Sequence, residues 1–150
     1  MTASTQQTPA TNQPHPTDAH RFEVTHVDRD AHALDIRGHR LQVDQPIEAG
    51  GTDTAPTPTE RFAASLTTCV AFYAGRPLHR HGLSRTGLRV RTDFTMATDR
   101  PARVASLRVT VVPPPELPEK RRAALPVVAS HCTVHNTLRQ PPEIDIEPEP

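Results

Sequence analysis

Apolar and polar residues alternate three times in the first half of the chain, with Phe22 and Val24, Leu34 and Ile36, and Leu41 and Val43 each sharing a parity. Successive side chains of an extended strand point to opposite faces, so each run predicts a short half-buried strand. The intervening residues Val27-Asp28-Arg29-Asp30 and Arg37-Gly38-His39 suit tight turns, the glycine permitting the second hairpin. A three-stranded meander is expected. Asp44-Gln45-Pro46 ends it, and a glycine- and proline-rich loop leads to a change of period at Thr57. From there Phe62, Leu66, Cys69, Phe72 and Tyr73 recur at helical spacing with alanines between them, which predicts a long helix needing burial nearly all round. Thr57 suits the N-cap, Pro58 the first helical position, and Glu60 the reciprocal carboxylate of a capping box. Pro77 removes a backbone donor, so a kink or stop is expected at Arg76.

Beyond the helix the two-residue period returns. Leu88, Val90, Thr92, Phe94 and Met96 share one face of a long strand, and Leu107, Val109 and Val111 one face of its partner, joined through Thr98-Asp99-Arg100-Pro101. Residues Glu119 to His131 read as a helix with Leu117, Ala124, Leu125 and Val128 on one side and a bend at Pro126. Cys132 to Leu138 predicts a further helical turn, and Ile144 with Ile146 a final edge strand. The order strands, helix, strands, helix gives an α+β class, with a domain over residues 21–147. Residues 1–20 are Thr, Gln, Asn and Pro with almost no large apolar side chains, the composition of a disordered polar tail.

Composition narrows the function more than the fold. Lys and Arg number 17 against 17 Asp and Glu, which leaves no electrostatic footprint for a nucleic acid or an acidic membrane. Four Phe, one Tyr and no Trp leave few stacking platforms and a core of Leu, Val, Ala and Ile, a small core that favours association. No apolar run reaches the roughly 18 residues of a membrane span, and no signal peptide is legible, so a cytoplasmic protein is expected. In that compartment two cysteines are a buried, metal-binding or redox pair more readily than a structural disulfide.

Cys69 lies mid-helix, where a thiolate needs a nearby cation, whereas Cys132 lies at a helix junction, where backbone N–H groups and the helix dipole favour the thiolate. Small core residues are the bland alternative for both. His131, Cys132 and His135, with His79 and His81, offer zinc-type donors, but neither cysteine has a second ligand at knuckle spacing, so no metal or other cofactor is expected. Asp44, Glu48 and Asp53 could act as acids, but loop carboxylates are most often solvated.

The run from His39 to Ala74, with Asp44-Gln45-Pro46, Gly50-Gly51-Thr52-Asp53, Pro58-Thr59-Glu60 and Leu66 ahead of Cys69, followed by a hairpin, a helix and Ser130-His131-Cys132-Thr133-Val134-His135, resembles the OsmC/Ohr superfamily in its OsmC-like branch. The resemblance implies an intertwined homodimer in which long helices lie against curved sheets and the two cysteines face each other near the subunit interface. It implies Cys69 as the peroxidatic thiolate, which attacks an organic hydroperoxide, and Cys132 as the resolving thiol, with an external dithiol resetting the pair. One departure bears on activation. Peroxidase members carry a glutamate ten residues before the first cysteine, and here that position is Thr59. Glu60 would point about 180° away from Cys69 on a regular helix, and Arg29, Arg37 and Arg40 stand in the region that supplies the family's activating arginine without a matching motif. Thr133 replaces a more usual proline. The other reading is a weakened relative that binds a small apolar or thiol-bearing ligand at the dimer interface.

Overall fold

In the computed structural model, which describes residues 21–150, the chain forms two compact units that divide between Thr57 and Pro58. The first is the expected meander of β1 (Phe22–Asp28), β2 (Ala31–Ile36) and β3 (His39–Val43), antiparallel in that order. Its register pairs Phe22 with Ile36, Val24 with Leu34 and Leu34 with Leu41, which brings the apolar parity of all three strands onto one face. Arg37 and Gly38 both take positive φ, 49° and 82°, the two left-handed positions that a tight β2–β3 hairpin demands.

The second unit is built on α1 (Pro58–Arg80) and the hairpin of β4 (Arg89–Met96) and β5 (Val104–Val112). The register sets Val90 opposite Val111, Thr92 opposite Val109 and Phe94 opposite Leu107. Val90, Val111, Val109 and Leu107 pack with Leu66, Val70 and Ala74 of α1, and Thr67 donates to Thr92 Oγ1 at 2.7 Å. The helix is not buried nearly all round, contrary to what its composition predicted. Its buried stripe is Ala63, Leu66, Val70, Ala74 and Leu78, while Phe72 is 62% exposed. Small residues let the helix lie close to the sheet, which turns the large rings outward. Nor does α1 stop at Arg76. It continues through Pro77 to Arg80, because Leu78 buries in a second core with Leu117 and Leu125 and holds the last turn in place.

The C-terminal region corrects two further expectations. The helix predicted over 119–131 is divided into α2 (Glu119–Arg122) and α3 (Ala124–Ala129), so the break comes ahead of Pro126. A proline ring clashes with the carbonyl four residues earlier, here Arg122, and the helix parts there. After α4 (Thr133–Arg139), residues 141–150 carry no regular structure, and Ile144 and Ile146 are 78% and 93% exposed rather than paired in an edge strand. Pro141 and Pro142 precede them, and among the described residues no strand lies alongside to supply ladder partners. The polar stretch of residues 1–20 lies outside the described residues.

Candidate active site

The second unit brings together the two cysteines that lie 63 residues apart in sequence. Cys69 occupies α1 two turns before Arg76, and Cys132 is the N-cap of α4 with extended backbone, φ −69° and ψ 151°. Both thiols are free, and Cys69 packs against the buried cluster that holds Cys132. Leu66, Val70, Ala74 and Ala129 surround the pair with hydrocarbon.

Their environments differ in access and in charge preference. Cys69 is half-buried, whereas Cys132 has no exposed surface. Burial pushes the Cys132 thiol up, against the His135 N–H, which reaches its sulfur at 3.3 Å and favours the thiolate; proximity to Cys69 adds to the upward shift. Position at a helix start is therefore outweighed by desolvation, contrary to what the sequence position alone suggests.

Two residues absent from the sequence-based assignment lie near the pair. Tyr73, one turn beyond Cys69, sets its hydroxyl 3.1 Å from Thr133 Oγ1, the residue after Cys132. The Arg76 guanidinium lies 5.7 Å from the centroids of both Phe72 and Tyr73. The i, i+4, i+7 spacing of Cys69, Tyr73 and Arg76 is the signal that could have found them. Beside the pair lies a largely apolar cavity of ≈ 320 Å³ between α1, β5 and the C-terminal helices, bounded by Leu66, Val70, Leu107, Val109 and Leu138, with Ser130 and His135 as polar lining. Its volume suits a small organic molecule.

The remaining candidates fall elsewhere. His131 and His135 direct Nδ1 at the carbonyls of Val127 and Ser130, and among the described residues no group of three or more His, Cys, Asp or Glu converges to hold a metal. Thr59 and Glu60 lie in the first turn of α1. Arg29, Arg37 and Arg40 belong to the meander, the first two in its turns. Asp44 is not the solvated loop acid expected of it. It is 1% exposed and accepts five hydrogen bonds, from the N–H groups of Gln45, Thr52 and Thr54 and the hydroxyls of Thr52 and Thr54. The Thr52 hydroxyl, followed by the Thr54 N–H, holds the carboxyl far below the usual carboxylate range, overcoming the opposing effect of burial. Gly51 fits beneath it because a Cβ there would fall 1.9 Å from the Gln45 carbonyl oxygen and 2.8 Å from Asp44 Oδ1. The aspartate and glycines that carried the family resemblance thus tie a loop.

A model of the family described as OsmC-like protein matches residues 51–147, most of the chain and both cysteines. The chain belongs to the OsmC-like family. Solved structures agree with that fold. A Psychrobacter arcticus protein assigned to osmotic stress induction and the detoxification response superposes with TM-score 0.71 at 22% identity, covering 83% of this chain and 89% of that one. A Legionella pneumophila organic hydroperoxide resistance protein OsmC gives 0.57 at 18%, over 79% and 88%. A Vibrio cholerae protein assigned to organic hydroperoxide resistance, with captopril bound in one of its active sites, gives 0.62 at 16%, over 87% and 90%. Comparison with curated proteins gave no match. Among the described residues of this OsmC-like chain, no helix is long and apolar enough to cross a membrane.

Proposed function

We propose that this OsmC-like protein reduces organic hydroperoxides through Cys69 and Cys132. The observation that carries the reading is the asymmetry of the pair: two thiols in contact, the first half-buried and the second fully enclosed and held neutral. The Cys69 thiolate attacks the terminal peroxide oxygen, the O–O bond breaks, and the alkoxide leaves as alcohol after taking a proton. Cys69 is then a sulfenic acid. The Cys132 thiol condenses with it, forming the disulfide and releasing water, and an external dithiol exchanges with that disulfide to restore both thiols. A cytoplasmic setting supplies such reductants. Exposed Phe22, Val24, Phe62 and Phe72 support a homodimer, since a monomer would leave these large side chains in water.

Stopped-flow mixing of the reduced protein with cumene hydroperoxide tests this reading. Oxidation faster than that of a free thiol is expected, with Cys69→Ser falling to background and Cys132→Ser completing the first oxidation without forming a disulfide. A wild-type rate no faster than free thiol ends the peroxidase reading. The alternative, binding of a thiol-bearing ligand without turnover, draws support from Thr59 in place of the family's glutamate and from the captopril-bound relative, since captopril is itself a thiol. Thermal stabilisation by captopril without peroxide consumption would favour it.

A further inference from the structure

The charges of this chain balance overall and segregate locally. Between Glu60 and Asp93 there is no Asp or Glu, but there are six arginines, at 61, 76, 80, 85, 89 and 91. Between Glu119 and Glu143 acids are again absent, and beyond Arg139 the order inverts: Glu143, Asp145, Glu147 and Glu149 follow with no basic residue among them. The second unit thus has a basic body and an acidic end.

That end is also apolar on one side. Residues 141–150 carry no regular structure, and Ile144 and Ile146 are 78% and 93% exposed, so the body of their own chain covers neither. In an extended segment alternate side chains point to opposite faces, which sets both isoleucines on one face and Glu143, Asp145 and Glu147 on the other. Pro141 and Pro142 restrict the backbone ahead of them and lower the entropy lost when the segment is held.

A matching receptor lies where α1 ends. Between the end of that helix and the α2–α3 segment is a cavity of ≈ 200 Å³, with Leu78, Leu83, Leu125 and Val128 as apolar lining and His81 and Arg121 as polar lining. Leu78 and Leu125 belong to the second core, so the floor is fixed in place. The volume falls short of the roughly 300 Å³ at which small-molecule sites begin and suits aliphatic side chains instead. Among the described residues neither Lys120 nor Arg121 is paired with a carboxylate, and none of the four C-terminal acids with a base.

We propose that this cavity receives residues 143–147 of a second copy of the chain, with Ile144 and Ile146 over Leu83 and Val128 and the acids beside Lys120 and Arg121. The two surfaces complement each other twice, apolar face on apolar floor and acids on a basic rim. In a twofold dimer each copy gives one arm and receives one, so the two contacts form together. The inference rests on the homodimer reading and assigns one of its contacts. Neither cysteine takes part in it.

The test puts a photoreactive benzophenone side chain in place of Ile146 in the full-length protein and irradiates an equal mixture of isotopically light and heavy chains. Fragment masses then tell links between copies from links within one. Links between copies, to residues 77–83 and 121–128, are expected. Ile144→Ser with Ile146→Ser should weaken self-association at least about tenfold in analytical ultracentrifugation, the effect of one lost aliphatic contact. Both isoleucines are so exposed that their replacement leaves the fold of the body intact. Arg121→Glu should weaken association less, and added salt should erode the difference from wild type. Links within one chain only, which would make the arm a cover for its own body, overturn the proposal, as do links to other segments. So does self-association unchanged by the double serine variant. A full-length protein that stays monomeric at every concentration removes the homodimer reading together with the arm, whereas a dimer with no link to the cavity removes the arm alone.

Discussion

Asp44 and Cys132 are both buried groups that can carry negative charge, and the protein treats them in opposite ways. Asp44 meets five donors converging from its own loop, so the anion is better solvated by the protein than by water. Cys132 meets fewer donors, the His135 N–H foremost, with a second thiol and hydrocarbon around it, so the proton stays. Enclosure alone does not decide protonation. The number of donors aimed at the group does, and this separates a carboxylate that fastens a loop from a thiol that keeps its proton.

The comparison breaks most severely at the loop. Gly51→Ala places a methyl group against the Gln45 carbonyl and should cost about 3 kcal/mol, seen as a lower urea midpoint. Asp44→Asn should also destabilise, by more than Thr52→Ala or Thr54→Ala, because an amide nitrogen would face donors. A midpoint unchanged by either substitution would mean the loop is not held by this network.

Next in size is pH. An unfolded aspartate ionises near 3.8 and folded Asp44 well below that, so under about pH 3.8 the unfolded chain binds the extra proton and stability falls as acid is added. Cys132 has the reverse sign. An unfolded thiol ionises near 9.0 and the folded one above it, so stability is complete below pH 9 and is lost as pH rises further. Urea midpoints across pH should show an acid limb that weakens in Asp44→Asn and an alkaline limb that weakens in Cys132→Ala. The smallest effect is expected from Tyr73→Phe, which removes the exposed hydrogen bond to Thr133 at about 0.5 kcal/mol or less, with folding otherwise intact.

Local pattern foretold local structure well. The parity of Leu34, Ile36, Leu41 and Val43 reappears in the sheet register, and Arg37-Gly38 makes the turn that its glycine suggested. Expectations failed where partners distant in sequence choose between faces. Hydrophobicity predicted burial of Phe62 and Phe72 along with the rest of α1, but close approach to β4 and β5 is made through Leu66, Val70 and Ala74. Ile144 and Ile146 had the alternation of a strand but, among the described residues, no neighbouring ladder. At the site, the choice of Cys69 and Cys132 and their expected proximity both came from motif resemblance, while the dominance of burial over the α4 N-terminus needed three dimensions. Asp44 was read as a solvated acid because no one-dimensional pattern reveals that Thr52 and Thr54 fold back upon it.

The separation of arginines from carboxylates along the second unit has a practical corollary at the bench. A molecule of zero formal charge is expected to pass through ion-exchange media, yet the six arginines from Arg61 to Arg91, with no carboxylate among them, should give this one some retention on a sulfonated resin at neutral pH in dilute buffer. Near its isoelectric point of about 7.1, opposite patches on neighbouring molecules will also attract, so purification and storage call for moderate ionic strength.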